Sequence, residues 1–187
     1  MKMRQPLAGV IAVVMLLPGV VALAAGGDAA DPWGPARFLL GSWTTAGTAK
    51  AEEGTGTASF SLELDANVIV RRNRVAFPPS EPGKAPAVHE DLLVIYPQGG
   101  GFRAIYFDNE RHVIEYAVTF AGEAATFETA NADGPRFRLL YRLLPDRTLA
   151  SEFYIAPPGR EFSLYLKGAA RRVEPQSPAS GERDGRR

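Results

Sequence analysis

The sequence predicts an all-β protein: about ten antiparallel strands wound into an up-and-down barrel over residues 36–172. Three observations predict this. Apolar residues alternate, or run in blocks of four to six, with no sustained helical period. Turn residues recur every eight to twelve positions. Short connections make sequential strands antiparallel neighbours, and closing such a meander removes its two exposed edges. A two-sheet sandwich is the alternative.

The elements follow in order. "DPWGPARFLL" (Asp31–Leu40) is the one short segment with helical character, and the first strand begins near Ser42. "SFSLEL" (Ser59–Leu64) puts Phe60, Leu62 and Leu64 on one face and Ser59, Ser61 and Glu63 on the other. "DAN" turns into "VIVRRNRVAF" (Val68–Phe77), and the Pro/Gly-rich loop "PPSEPGKAPA" follows. "VHEDLLVIYP" (Val88–Pro97) and "FRAIYFD" (Phe102–Asp108) flank a triple glycine. "HVIEYAVTF", "ATFETA", "RFRLLYRLL", "TLASEFYIA" and "EFSLYLKGAARR" complete the meander, ending at Arg172.

The chain ends differ in kind. Residues 1–24 have a basic start (Lys2, Arg4), the uncharged run Leu7–Leu17, and small residues at Ala22 and Ala24. That pattern predicts a secretory signal peptide cleaved between Ala24 and Ala25, hence a secreted, periplasmic protein. The apolar run falls short of the ~20 residues that span a bilayer, so no membrane span is expected in the mature chain. Residues 25–35 read as a linker. Residues 173–187 carry six charges and two prolines and read as a disordered tail. With no cysteine, an exported fold has no disulfide support and depends on its core.

Removing Lys2 and Arg4 leaves 19 basic residues against 21 acidic, a net charge of −2. That balance points away from nucleic acid as a partner. A barrel must also be closed at one end, and Trp43, beside a glycine on the first strand, is placed to lie across it. If the last strand pairs with the first, Arg171 or Arg172 arrives beside that indole.

"FLLGSW" (Phe38–Trp43), with Gly41 and Trp43 as its Gly-x-Trp, resembles the opening of the calycin superfamily of lipocalins, fatty-acid-binding proteins and nitrobindin-like barrels. "ARR" at the end of the last strand resembles the arginine those folds stack on their tryptophan. With these elements the chain resembles exported bacterial lipocalin-like proteins. In the superfamily Gly41, Trp43 and Arg171 or Arg172 would be structural. The lipocalin Thr-Asp-Tyr motif and the fatty-acid binders' Arg-x-Tyr clamp are absent. The nitrobindin-like haem site uses a histidine near the chain's end, and none follows His112; no haem or other cofactor is expected.

The residues with chemistry to offer are few. Whichever phase "VIVRRNRV" takes, at least one arginine faces inward; the face with Ile69, Arg71, Asn73, Val75 and Phe77 is favoured because it carries the large Phe77. A desolvated guanidinium needs an acid or an anionic ligand, so Arg71 either pairs with Asp91 or receives a carboxylate or phosphate head group. His89 and Asp91 share a face of the next strand, too few ligands for a closed zinc site. His112 opens a strand as a surface residue. Tyr106 and Tyr141 are among six tyrosines spread one per strand, either lining or core. The ligand-binding set is therefore Arg71, Asn73, His89, Asp91, Tyr106 and Tyr141. No nucleophile elbow, paired catalytic carboxylates or phosphate-binding glycine loop occurs.

Three functions remain open. The leading one is a non-enzymatic barrel holding a small apolar or amphipathic molecule. The others are an isomerase or hydrolase using His89, Asp91 and a tyrosine as acid and base, and a structural module with a filled interior.

Overall fold

A 3-10 turn, Gly34–Leu39, leads into ten strands: β1 (Gly41–Thr45), β2 (Thr55–Glu63), β3 (Val68–Phe77), β4 (Ala87–Gln98), β5 (Gly101–Asp108), β6 (Val113–Ala121), β7 (Ala124–Thr129), β8 (Arg136–Leu143), β9 (Leu149–Ala156) and β10 (Ser163–Arg172). The computed structural model describes residues 31–45, 54–79, 81–129 and 134–174. The expected signal peptide, its cleavage site, the first part of the linker and the tail beyond 174 lie outside the described residues.

Every strand pairs antiparallel with its sequence neighbour, and β1 also pairs with β10, so the meander closes into a barrel and not a sandwich. The closing register sets Trp43 opposite Arg172 and Thr44 opposite Arg171. The amide of Val173 donates to Ser42 O (2.8 Å), so the ladder runs one residue into the expected tail.

One end of the barrel is plugged by aromatic packing. Trp43 is 1% exposed, donates its indole N–H to Leu39 O (2.8 Å) and lies under the Arg172 guanidinium, 4.3 Å from the ring centroid. Of the two candidate arginines, Arg172 takes this place. It also donates to Leu40 O and, at 3.0 Å, to Phe38 O, capping the carbonyls that end the 3-10 turn. Gly41 has φ +114°, and a Cβ there would strike the Arg172 guanidinium, which explains glycine two residues before the tryptophan.

Trp33, inside the expected linker, belongs to the same plug. It is 1% exposed, packs on Phe102 (centroids 5.3 Å apart), and donates to Ala66 O (2.6 Å). That bond fastens the β2–β3 turn, where Leu64, Asp65 and Ala66 all take left-handed backbone. Burying an indole removes ~150–250 Å² from water, at most about 4–6 kcal/mol per ring. Two such rings at one end make it the anchor of a disulfide-free fold.

A middle layer fills the barrel above the plug. Tyr141 meets Phe60 and Phe127 edge-on (5.6 and 6.0 Å), and Tyr116 meets Phe127 the same way (6.2 Å). Of the six tyrosines, Tyr106, Tyr116 and Tyr141 share the register face of the core, whereas Tyr96 and Tyr154 face outward.

Candidate functional site: the barrel mouth

The polar cluster sits just above that middle layer, on β3, β4 and β5. The register pairs Asn73 with Asp91, Arg71 with Leu93, and Asp91 with Asp108. Because paired residues share a face, Ile69, Arg71, Asn73, Val75 and Phe77 form the inward row of β3. Arg72 and Arg74 point outward, where they pair with Glu63 and Glu90.

Arg71 is 5% exposed. One terminal nitrogen donates to Tyr141 Oη across the barrel, and the other donates to Asp91 Oδ1. Asn73 Nδ2 donates to the second oxygen of Asp91 (2.8 Å). Burial by itself lowers the guanidinium's pKa, but Tyr141 and the Asp91 carboxylate outweigh it and hold Arg71 protonated above its ordinary value. Burial pushes the Tyr141 hydroxyl up. Arg71 Nε is buried with no hydrogen-bond partner among the described residues.

A second group lies nearer the rim. His89 Nε2 is 3.0 Å from Tyr106 Oη and 3.4 Å from Asp91 Oδ2, while His89 Nδ1 is 3.4 Å from Glu110. The Tyr106 hydroxyl donates to Asp108 Oδ2 (3.3 Å), and His112 Nδ1 donates to that same oxygen (2.8 Å). Burial, then the charges of Asp91 and Asp108, push the Tyr106 hydroxyl up, so it remains a donor through the physiological range.

Asp91 and Asp108 stand directly opposite each other, an arrangement that is unfavourable unless each is satisfied separately. Asp91 has Arg71 and Asn73. For Asp108, partial burial raises the carboxyl, but the amides of His112 and Glu110 and the His112 imidazole outweigh it and hold the group below its ordinary value. In return, Asp108 holds the exposed His112 imidazole above its ordinary value.

All six residues of the expected set, Arg71, Asn73, His89, Asp91, Tyr106 and Tyr141, thus form one connected network. Arg71 is paired with Asp91, the first of the two roles considered for it. Sequence reasoning missed Asp108 and Glu110. The turn "DNERH" carried the signal, since an aspartate starting a tight turn bonds backbone amides two and four residues on.

The opposite side of the mouth is apolar. Leu139, Phe153 and Leu166 share one register row on β8, β9 and β10. Phe137 stacks on Phe153 (6.0 Å, 9° between planes). A bulge between Leu164 and Leu166 sets Tyr165 edge-on to Phe153 (6.2 Å). Leu139 is buried, but Leu166 is 50% and Tyr165 72% exposed. One wall of the mouth therefore offers donors and acceptors, and the other offers uncovered hydrocarbon.

A groove of about 480 Å³ adjoins this cluster. Its lining combines the outward-facing Thr57, Arg72 and Glu90 with the inward-facing Trp43, Asn73 and Asp91 of β1–β4, so it shares Asn73 and Asp91 with the polar network. Among the described residues no group of three or more His, Cys, Asp or Glu is arranged to hold a metal ion. Compared with protein-family models and with curated proteins, the sequence matches none of them.

Proposed function

We propose that this protein is an exported, periplasmic binding barrel of the calycin type that takes a small amphipathic molecule at its mouth. One observation carries the reading: inward-facing Leu166 and its neighbour Tyr165 stay half or more exposed, across the barrel from a buried Arg–Asp–Tyr network. Apolar side chains directed into a barrel are ordinarily covered by other side chains, so this wall has the form of a site that awaits hydrocarbon. The ligand's apolar part lies on Phe137, Phe153, Tyr165 and Leu166. Its polar end meets Asn73, His89 and Tyr106, with Arg71, Asp91 and Tyr141 beneath. The reading includes no haem or other cofactor, nucleic acid or membrane span.

Native mass spectrometry of the protein purified from its host tests this. A bound small molecule that is absent from Leu166→Asp supports the reading. Bare protein that also fails to brighten an anilinonaphthalene fluorophore refutes it.

A second reading, proton-transfer catalysis, is favoured by the 3.0 Å approach of His89 Nε2 to the Tyr106 oxygen, which sets an acid–base pair beside the same mouth. It predicts that His89→Gln retains a different molecule from wild type, the unconverted substrate. If both retain the same molecule, the site binds and does not convert.

A further inference from the structure

The outside of β3–β6 carries a second apolar surface, separate from the mouth. Outward residues pair across these strands as Val70–Val94–Ile105, as Leu92–Phe107–Val113, and as Tyr96–Arg103–Ala117. The same rows also hold Arg72, Arg103 and Glu115, and Val70 is already buried, so the uncovered apolar part is Phe107 and Val113 with half-buried Leu92, Val94 and Ile105 around them. Strands exposed on one side normally alternate apolar with polar residues; strands apolar on both faces are normally covered on both. Here Phe107 is 41% and Val113 62% exposed, side by side.

The charges on this block say what covers it. Arg72 and Arg74 at its edge are already paired with Glu63 and Glu90. Arg103 and Glu115 are not: they lie on adjacent strands, opposite Ala117 and Ile105, and make no ion pair among the described residues. A face with one unpaired cation and one unpaired anion beside an apolar centre is complementary to itself when turned by a two-fold axis. A uniformly basic rim would have suited an anionic membrane, and a uniformly acidic one a basic protein.

We propose that this face is the interface of a homodimer, in which Ile105, Phe107 and Val113 pack on their symmetry mates and Arg103 of each chain meets Glu115 of the other. Strands ~4.8 Å apart, with same-face residues ~6.8 Å apart along each, make the apolar block about 14 by 14 Å. That is the centre of a small interface, in the size class of weak, transient associations.

Sedimentation velocity of the mature chain over a concentration series tests this. The wild type should run as a dimer at high concentration and as a monomer at low. Arg103→Glu and Glu115→Arg should each raise the dissociation constant at least tenfold, and the double exchange should restore most of it. Ile105→Glu should give a monomer at every concentration with an unchanged circular dichroism spectrum. A wild type that stays monomeric throughout, or a dimer indifferent to all four variants, overturns the proposal, whether the face then proves to bind vesicles or another protein.

Discussion

The two ends of this barrel are built from opposite materials. At the closed end, two nearly inaccessible tryptophans pack with a capping arginine and a glycine with no room for a side chain. At the mouth, an arginine, two aspartates, two tyrosines and a histidine face a wall of half-covered aromatic and aliphatic groups. The contrast teaches a division of labour. A chain without disulfides concentrates its burial at one end, and that end then carries a mouth whose hydrocarbon is left uncovered.

Substitutions at the closed end should break this comparison most severely. Trp43→Ala removes the indole, its bond to Leu39 O and the ring beneath Arg172. The expected loss is about 4–5 kcal/mol, read as a fall in the urea midpoint. Below that comes Asp91→Ala, which strands a buried guanidinium and should cost about 3 kcal/mol. Replacing Arg71 by Met and Asp91 by Leu together should recover most of that loss, since no buried charge is then left unpaired. If the double variant is no more stable than the single, the pair is not what Asp91 is there for.

Gly41→Ala should cost about 1–3 kcal/mol, because alanine must adopt a left-handed backbone and displace Arg172. Smallest is the rim pair His112–Asp108. His112 is raised in the fold, so its contribution is complete below its unfolded pKa of about 6.5 and is lost as pH rises through the folded value. Asp108 is lowered, so its contribution is present above about 3.9 and is lost as pH falls through the folded value. Wild type minus His112→Gln, measured by thermal midpoint, should therefore be greatest between about pH 4 and 6.5 and should shrink on both sides. A difference that grows above pH 7 would show that the pair does not form.

Much of this was legible in the sequence, for physical reasons. Alternation from Ser59 and the bulk of Phe77 favour the inward faces that β2 and β3 adopt, because a period of two leaves only two choices. Leu64, expected inward with Phe60 and Leu62, instead lies in the left-handed β2–β3 turn and is exposed. Trp43 and a terminal arginine announce closure because a barrel's first and last strands must meet. Trp33 was hidden because its partners, Phe102 and Ala66, are far away in the chain and its segment has no strand period. The Arg71–Tyr141 contact was hidden likewise: it spans seventy residues and depends on which strands lie across the barrel from each other. The bulge that brings Tyr165 onto Phe153 leaves no mark in the alternation of "EFSLYLKG". The outward row of β3–β6 is the converse case. "DLLVIYP" and "FRAIYF" are visibly apolar on both faces, and only the closed barrel tells which residues are left outside.

The central claim is that stability and binding sit at opposite ends, and Leu166→Asp tests it most directly. Leu166 is half exposed, so the charge should change the stability read from the urea midpoint by no more than about 0.5 kcal/mol. The affinity for an anilinonaphthalene fluorophore, titrated on the same sample, should fall at least tenfold. Unchanged affinity, or a loss of stability as large as that of Trp43→Ala, would contradict the account.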